Sequence, residues 1–154
     1  MRAELDAAKA EDAAGFRDGF YPPENNGRWI AQRGIIELCI VDNAAEFFLE
    51  GDAPLQLSGG VVVNVEVGGA SLGRLAVKKP GPFAARLAVD PERLRAHAGR
   101  TMQLTLSSSE TFVPAHSSKS LDGRILSLFV QRVGLRSRKR AEPTVPPWLS
   151  SSHR

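Results

Sequence analysis

The chain has 154 residues, 42% hydrophobic and 24% charged, with one cysteine, three histidines and a formal net charge of +3. That length suits one domain of roughly 100–150 residues with tails, enough to bury a core without metals or disulfides. The lone Cys39 excludes an internal disulfide and a cysteine-built zinc site, and no run of about 18 apolar residues offers a membrane span.

The positive excess is local. Arg136, Arg138, Lys139, Arg140 and Arg154 stand against Glu142 alone in residues 136–154. The remainder is close to neutral. A nucleic-acid-binding domain carries its basic residues on a folded face, so no nucleic-acid partner is expected. The run RSRKR at 136–140 reads as a solvated tail; binding of nucleic acid, anionic lipid or a targeting receptor by this run is the sharper alternative.

Residues 2–14 are rich in Ala, Glu, Asp and Lys, which predicts a solvated helical leader or linker over 1–15. The segment is charged throughout and has no apolar stretch of signal-peptide type, which suggests a cytoplasmic location. Residues 15–34 are irregular, with Asn26-Gly27 as the tight-turn signal and Phe16, Phe20, Tyr21 and Trp29 as unusually dense aromatics.

From Ile35 the period becomes two. Ile36, Leu38 and Ile40 alternate with Glu37 and Cys39, the pattern of a half-buried strand. Residues 47–49 and 55–57 read as short strands separated by Pro54. Residues 61–67 put Val61, Val63, Val65 and Val67 on one face, and Gly68-Gly69 turns the chain into a return strand over 72–78. Phe83, Ala85, Leu87 and Val89 form the inward face of the next strand. Asp90-Pro91-Glu92 marks a helix start and Gly99 its end, so a short helix over about 91–97 connects two strands. Met102, Leu104 and Leu106 point inward after it. A Ser/Thr-rich loop fills 107–123 and the last, most apolar strand covers 124–135. Residues 136–154 read as a disordered basic tail.

These elements predict an all-β fold: an antiparallel β-sandwich of jelly-roll or galactose-binding-like type over 16–135, with one short connecting helix. No βαβ unit exists to hold a nucleotide. His116, Ser117, Ser118, Ser120 and Asp122 lie close in sequence, but no G-x-S-x-G elbow is present, and loop chemistry explains the cluster. Glu24 and Asp122 could in principle serve as an acid–base pair; capping and ion pairing account for them more simply. No catalytic residue, metal site or cofactor is therefore assigned, and the chain is not read as an enzyme.

Tyr21 and Trp29 flank the turn, with Glu24, Arg28 and Gln32 beside them. Two readings stay open. The rings form a platform for a sugar face while Glu24 or Arg28 bonds its hydroxyls, or they plug one end of the core. Asp122 and Arg124, two apart in an extended segment, point the same way and can tie the loop to the sheet.

The order of several short motifs resembles a β-sandwich accessory domain of bacterial glycosyltransferases and other surface-polysaccharide proteins. Gly19-Phe20-Tyr21-Pro22-Pro23-Glu24, then Gly27-Arg28-Trp29, looks like its opening. A valine-rich strand, a glycine turn and Leu72-Gly73-Arg74 follow. Phe112-Val113-Pro114-Ala115, then Ser120, Asp122, Arg124 and Leu126, resemble its close, with Gly123 departing from the family's usual residue. The resemblance spans about residues 16–135 and implies a non-catalytic module linked to glycan synthesis. Its implied partners are a glycan or, alternatively, a glycosyltransferase or similar biosynthetic protein. Tyr21, Glu24, Arg28, Trp29, Asp122 and Arg124 are the candidate ligand-binding residues.

Overall fold

Nine strands form two antiparallel sheets in a computed structural model that describes residues 2–117 and 119–137. The strands are β1 (Glu4–Asp6), β2 (Arg28–Trp29), β3 (Arg33–Cys39), β4 (Ala44–Ala53), β5 (Val61–Val67), β6 (Ala70–Val77), β7 (Gly81–Ala88), β8 (Thr101–Ser108) and β9 (Phe129–Ser137). One sheet runs β1-β9-β4-β7, with β2 also pairing β9; the other runs β3-β8-β5-β6. The expected all-β sandwich is the observed architecture. Among the described residues no helix is long and apolar enough to cross a membrane.

The core lies between the sheets and follows the period-two pattern. Ile36, Leu38, Val63, Val65, Leu104 and Leu106 from one sheet meet Phe47, Leu49, Val130, Val133 and Leu135 from the other, all almost fully buried. The helix α1 (Pro91–Arg95) forms where the local signals place it. The Asp90 side chain caps it by accepting from the Glu92 N–H at 3.0 Å, and Gly99 closes the segment at φ +77°.

Three local expectations are corrected. The first concerns the leader. Residues 4–6 are strand β1 and residues 10–15 a 3-10 helix, not a solvated helix. Leu5 and Ala7 are buried, and Leu5 sits opposite Val133 of β9. Pairing and burial outweigh a helix propensity worth only tenths of a kcal/mol per residue. Asp12 holds the turn in place, its Oδ2 accepting from the Asp6 N–H at 2.9 Å and its Oδ1 lying 3.2 Å from Arg2 Nε.

The second concerns residues 44–57. A single ten-residue strand, β4, replaces the short one, and residues 55–57 turn as a 3-10 helix. Pro54 has no N–H to give a ladder, so the chain leaves the sheet there and buries Leu57 instead. The third concerns the last strand. Ladder pairing begins at Phe129 and continues to Ser137, two residues past the expected boundary. Residues 138–154, including Trp148, lie outside the described residues.

Candidate functional site

The segment before β3 is a compact hairpin. Gly19 opens it at φ +88°, and a Cβ there would meet the Arg33 carbonyl oxygen at 1.9 Å. Only glycine fits both the angle and the space. Tyr21 N–H bonds the Trp29 carbonyl, and Glu24 and Gly27 exchange backbone bonds of 2.9 and 3.1 Å. The turn is therefore centred on Asn25-Asn26, one residue earlier than Asn26-Gly27. Asn25 takes the left-handed conformation at φ 53°, which asparagine tolerates. Gly27 serves a different need: a Cβ would meet the Phe129 ring at 2.5 Å.

Register then decides which side chains meet. β2 pairs Arg28 with Val130 and Trp29 with Phe129, and β4 pairs Asp52 with Phe129. Val130 is buried in the core, so Arg28 turns toward the interior edge while Trp29 faces outward. Trp29, Phe129 and Asp52 form one lateral row on the outer face of the sheet. Trp29 meets Phe129 edge-on at 5.1 Å and Phe112 edge-on at 5.9 Å between ring centroids. It is half-buried and stands outside the central core. Beside it lies a shallow groove of about 280 Å³, lined by Glu24, Asn25, Trp29, Asp52, Pro54 and Phe129.

Four of the six expected site residues form a second, contiguous cluster. Arg124 grips Asp122 through three side-chain bonds, Nε to Oδ1 at 2.9 Å and to Oδ2 at 3.1 Å, and Nη2 to Oδ2 at 2.7 Å. Its Nη1 donates to Glu24 Oε2 at 2.9 Å, and its guanidinium lies 5.1 Å from the Tyr21 ring centroid. The Tyr21 hydroxyl donates to the Ile125 carbonyl at 3.0 Å. The Arg124 side chain and its backbone N–H both bond the Asp122 carboxylate, which holds its pKa down at about 2. The bond to Asp122 raises the Arg124 pKa, desolvation opposes this, and Glu24 adds to it. The cluster pins the 109–128 loop onto the hairpin, and Arg124 covers one face of Tyr21. The Asp122 carboxylate bonds Arg124 here, and among the described residues no hydrogen bond joins it to His116.

Arg28 is brought to neither group. Its guanidinium lies 5.1 Å from the Phe16 ring centroid, with Nε buried and unbonded, and desolvation lowers its pKa. Sequence reading missed Asp52, Pro54 and Phe129 as walls of the groove. The only signal was Pro54, which marks where β4 ends.

Among the described residues, no group of three or more His, Cys, Asp or Glu side chains could hold a metal ion. No family model matches the chain. No curated protein matches it either. Solved structures do. The carbohydrate-binding module CBM36 in complex with calcium and xylotriose superposes with a TM-score of 0.51 at 13% identity, covering 86% of this chain and 98% of that one. A family 6 carbohydrate-binding module characterised for its binding sub-sites gives 0.50 at 11% identity, covering 88% and 94%. CsCBM6-3 from Clostridium stercorarium in complex with cellobiose gives 0.50 at 10% identity, with the same coverages. The chain thus shares its β-sandwich fold with carbohydrate-binding modules, over nearly the whole of each.

Proposed function

We propose that the chain is a non-catalytic, carbohydrate-associated module serving glycan or surface-polysaccharide biosynthesis, and that it holds a sugar chain in the groove beside Trp29. The observation carrying this reading is the lateral row Trp29–Phe129–Asp52, closed at one end by Glu24 and Asn25. Rings supply an apolar surface for the C–H face of a pyranose, and two carboxylates and an amide at the rim accept and donate to its hydroxyls. Neighbours of the same fold bound to xylotriose and cellobiose add support. The calcium of one neighbour finds no matching carboxylate cluster among the described residues, so the proposal involves no metal.

Tyr21, Asp122 and Arg124 serve this reading indirectly. They hold Glu24 at the groove from below, and Arg28 steadies the opposite side of β2 against Phe16.

The test is titration of the full chain with xylo- and cello-oligosaccharides and with a panel of bacterial surface polysaccharides. Binding that is lost in both Trp29→Ala and Asp52→Ala, each still folded, supports the groove. Binding indifferent to both changes removes it.

A second reading, docking of a glycosyltransferase or another surface-biosynthesis protein, is favoured by one observation. Leu121 is 99% exposed and Ile125 52% exposed on the pinned loop, an apolar surface that the described residues leave uncovered. Co-purification with such an enzyme that is lost in Leu121→Asp, with no sugar bound at Trp29, would favour it.

A further inference from the structure

The opposite sheet offers a separate polar groove. Register places Arg33 beside Ser107, Ser107 beside Asn64 and Asn64 beside Arg74. These four lie in one row across β3, β8, β5 and β6, on the face pointing away from the core, because Val63, Val65, Leu104 and Leu106 occupy the inward positions. At ~4.8 Å per strand, the two arginines stand about 14 Å apart at the backbone. At the Arg74 end of the row lies a groove of about 320 Å³ lined by Val62, Asn64, Arg74, Ser107, Ser108 and Ser109, with Arg33 beyond it.

Three features distinguish this row from ordinary solvated surface. First, neither Arg33 nor Arg74 makes an ion pair among the described residues, although most other arginines of the two sheets do. Second, the Asn64 amide is held fixed. Its Nδ2 donates to Glu66 Oε1 at 2.7 Å and its Oδ1 accepts from Ser71 Oγ at 2.7 Å. One N–H and one lone pair of that amide remain unused. Third, the Ser107 hydroxyl is buried there without a hydrogen-bond partner. Val62, 40% exposed, gives the groove a small apolar surface. The acids of this face are engaged: Glu66 bonds Asn64, and Glu37 lies 3.4 Å from Arg17 Nη1.

We infer that this face binds a carboxylate-bearing sugar chain, at a site independent of the Trp29 groove. The Arg74 guanidinium receives the sugar carboxylate through paired N–H donors, which match its planar geometry. The Asn64 amide and the Ser107 hydroxyl take adjacent ring hydroxyls, and Val62 meets a C–H surface. Arg33 receives an acidic group farther along the chain. No bond is made or broken.

The experiment titrates the full chain with a defined oligogalacturonate and with its carboxyl-reduced, neutral counterpart. Three variants accompany it: Arg74→Gln, Ser107→Val and Trp29→Phe. The expected result is binding of the acidic oligomer that weakens at least tenfold in Arg74→Gln, weakens in Ser107→Val and stays unchanged in Trp29→Phe. The neutral oligomer binds at least tenfold more weakly. Added salt loosens the acidic complex, as it does for exposed charges. Absence of binding, equal affinity for the neutral oligomer, or indifference to Arg74→Gln in a variant with unchanged melting overturns the assignment. Displacement by inorganic sulfate at equal charge concentration also overturns it, because the site would then hold any anion. Loss of binding in Trp29→Phe alone would place the acidic chain in the other groove and likewise end this inference.

Discussion

Arg124 and Glu24 stand 100 residues apart in the chain, yet Nη1 of one donates to Oε2 of the other at 2.9 Å. The same guanidinium holds both Asp122 carboxylate oxygens, so one side chain joins the hairpin to the final loop. Exposed ion pairs contribute little, but the Arg124–Asp122 pair is bidentate, its guanidinium lies over Tyr21, and the same network orders Glu24.

Acid should release this link. The Arg124 side chain, bonded to the Asp122 carboxylate, lowers its folded pKa to about 2, well below the ordinary range of an aspartate. A lowered folded pKa gives stability that is fully present above the unfolded value and fades as pH falls through the folded one. The melting difference between the parent chain and Asp122→Asn should be constant from pH 7 to about 5 and shrink between about pH 4 and pH 2. A difference independent of pH over that range would show that Asp122 is not held by Arg124.

Trp29→Ala separates surface from core. Two edge contacts, each worth about 0.5–1.5 kcal/mol, and partial burial give an expected loss of roughly 2 kcal/mol in chemical denaturation. A loss of ~3–5 kcal/mol, the range of a fully buried aromatic, would make Trp29 a core plug after all. Asp52→Ala, at an exposed position, should stay within about 0.5 kcal/mol of the parent.

Leu5→Ala tests the first strand. Leu5 is 2% exposed and opposite Val133, so the change should cost about 2–5 kcal/mol. Thermal melting should then fall by several degrees. A melting curve that does not move would return residues 2–14 to the status of a solvated leader.

Gly19→Ala should be poorly tolerated. A left-handed φ costs an L-residue about 1–2 kcal/mol, and the new Cβ would sit 1.9 Å from a carbonyl oxygen. A loss above about 2 kcal/mol in urea is expected. A smaller one would mean that the hairpin can shift away from Arg33.

How much of this was legible depends on how local the cause is. The Asp90 cap, the Gly68-Gly69 turn and the valine alternation of β5 are short-range signals, and each leads to the element it predicts. The Asp122–Arg124 tie follows from a spacing of two in extended chain. The resemblance motifs also gain a physical meaning, because Gly19 and Gly27 mark close backbone approaches. Asp52 and Phe129 could not be read this way. Their meeting with Trp29 depends on the lateral register of β2, β9 and β4, which no local pattern encodes. Residues 2–14 misled for the converse reason. Their helical propensity is real, but the partner that overrides it, β9, lies some 130 positions away.

The pairing of β1 with β9 has a mechanical consequence. These first and last strands are antiparallel neighbours, with Glu4 opposite Gly134 and Leu135 N–H bonded to the Ala3 carbonyl. Among the described residues the chain begins on the edge strand β1 and ends on β9 beside it, at the same end of the sheet. Tension applied through residues 3 and 137 therefore loads the β1–β9 hydrogen bonds one after another, starting at Leu135, and peels the two strands apart from that end. In-line force therefore frees the three-residue β1 first, while β9 stays held by its longer ladder with β4 and the core between the sheets remains closed.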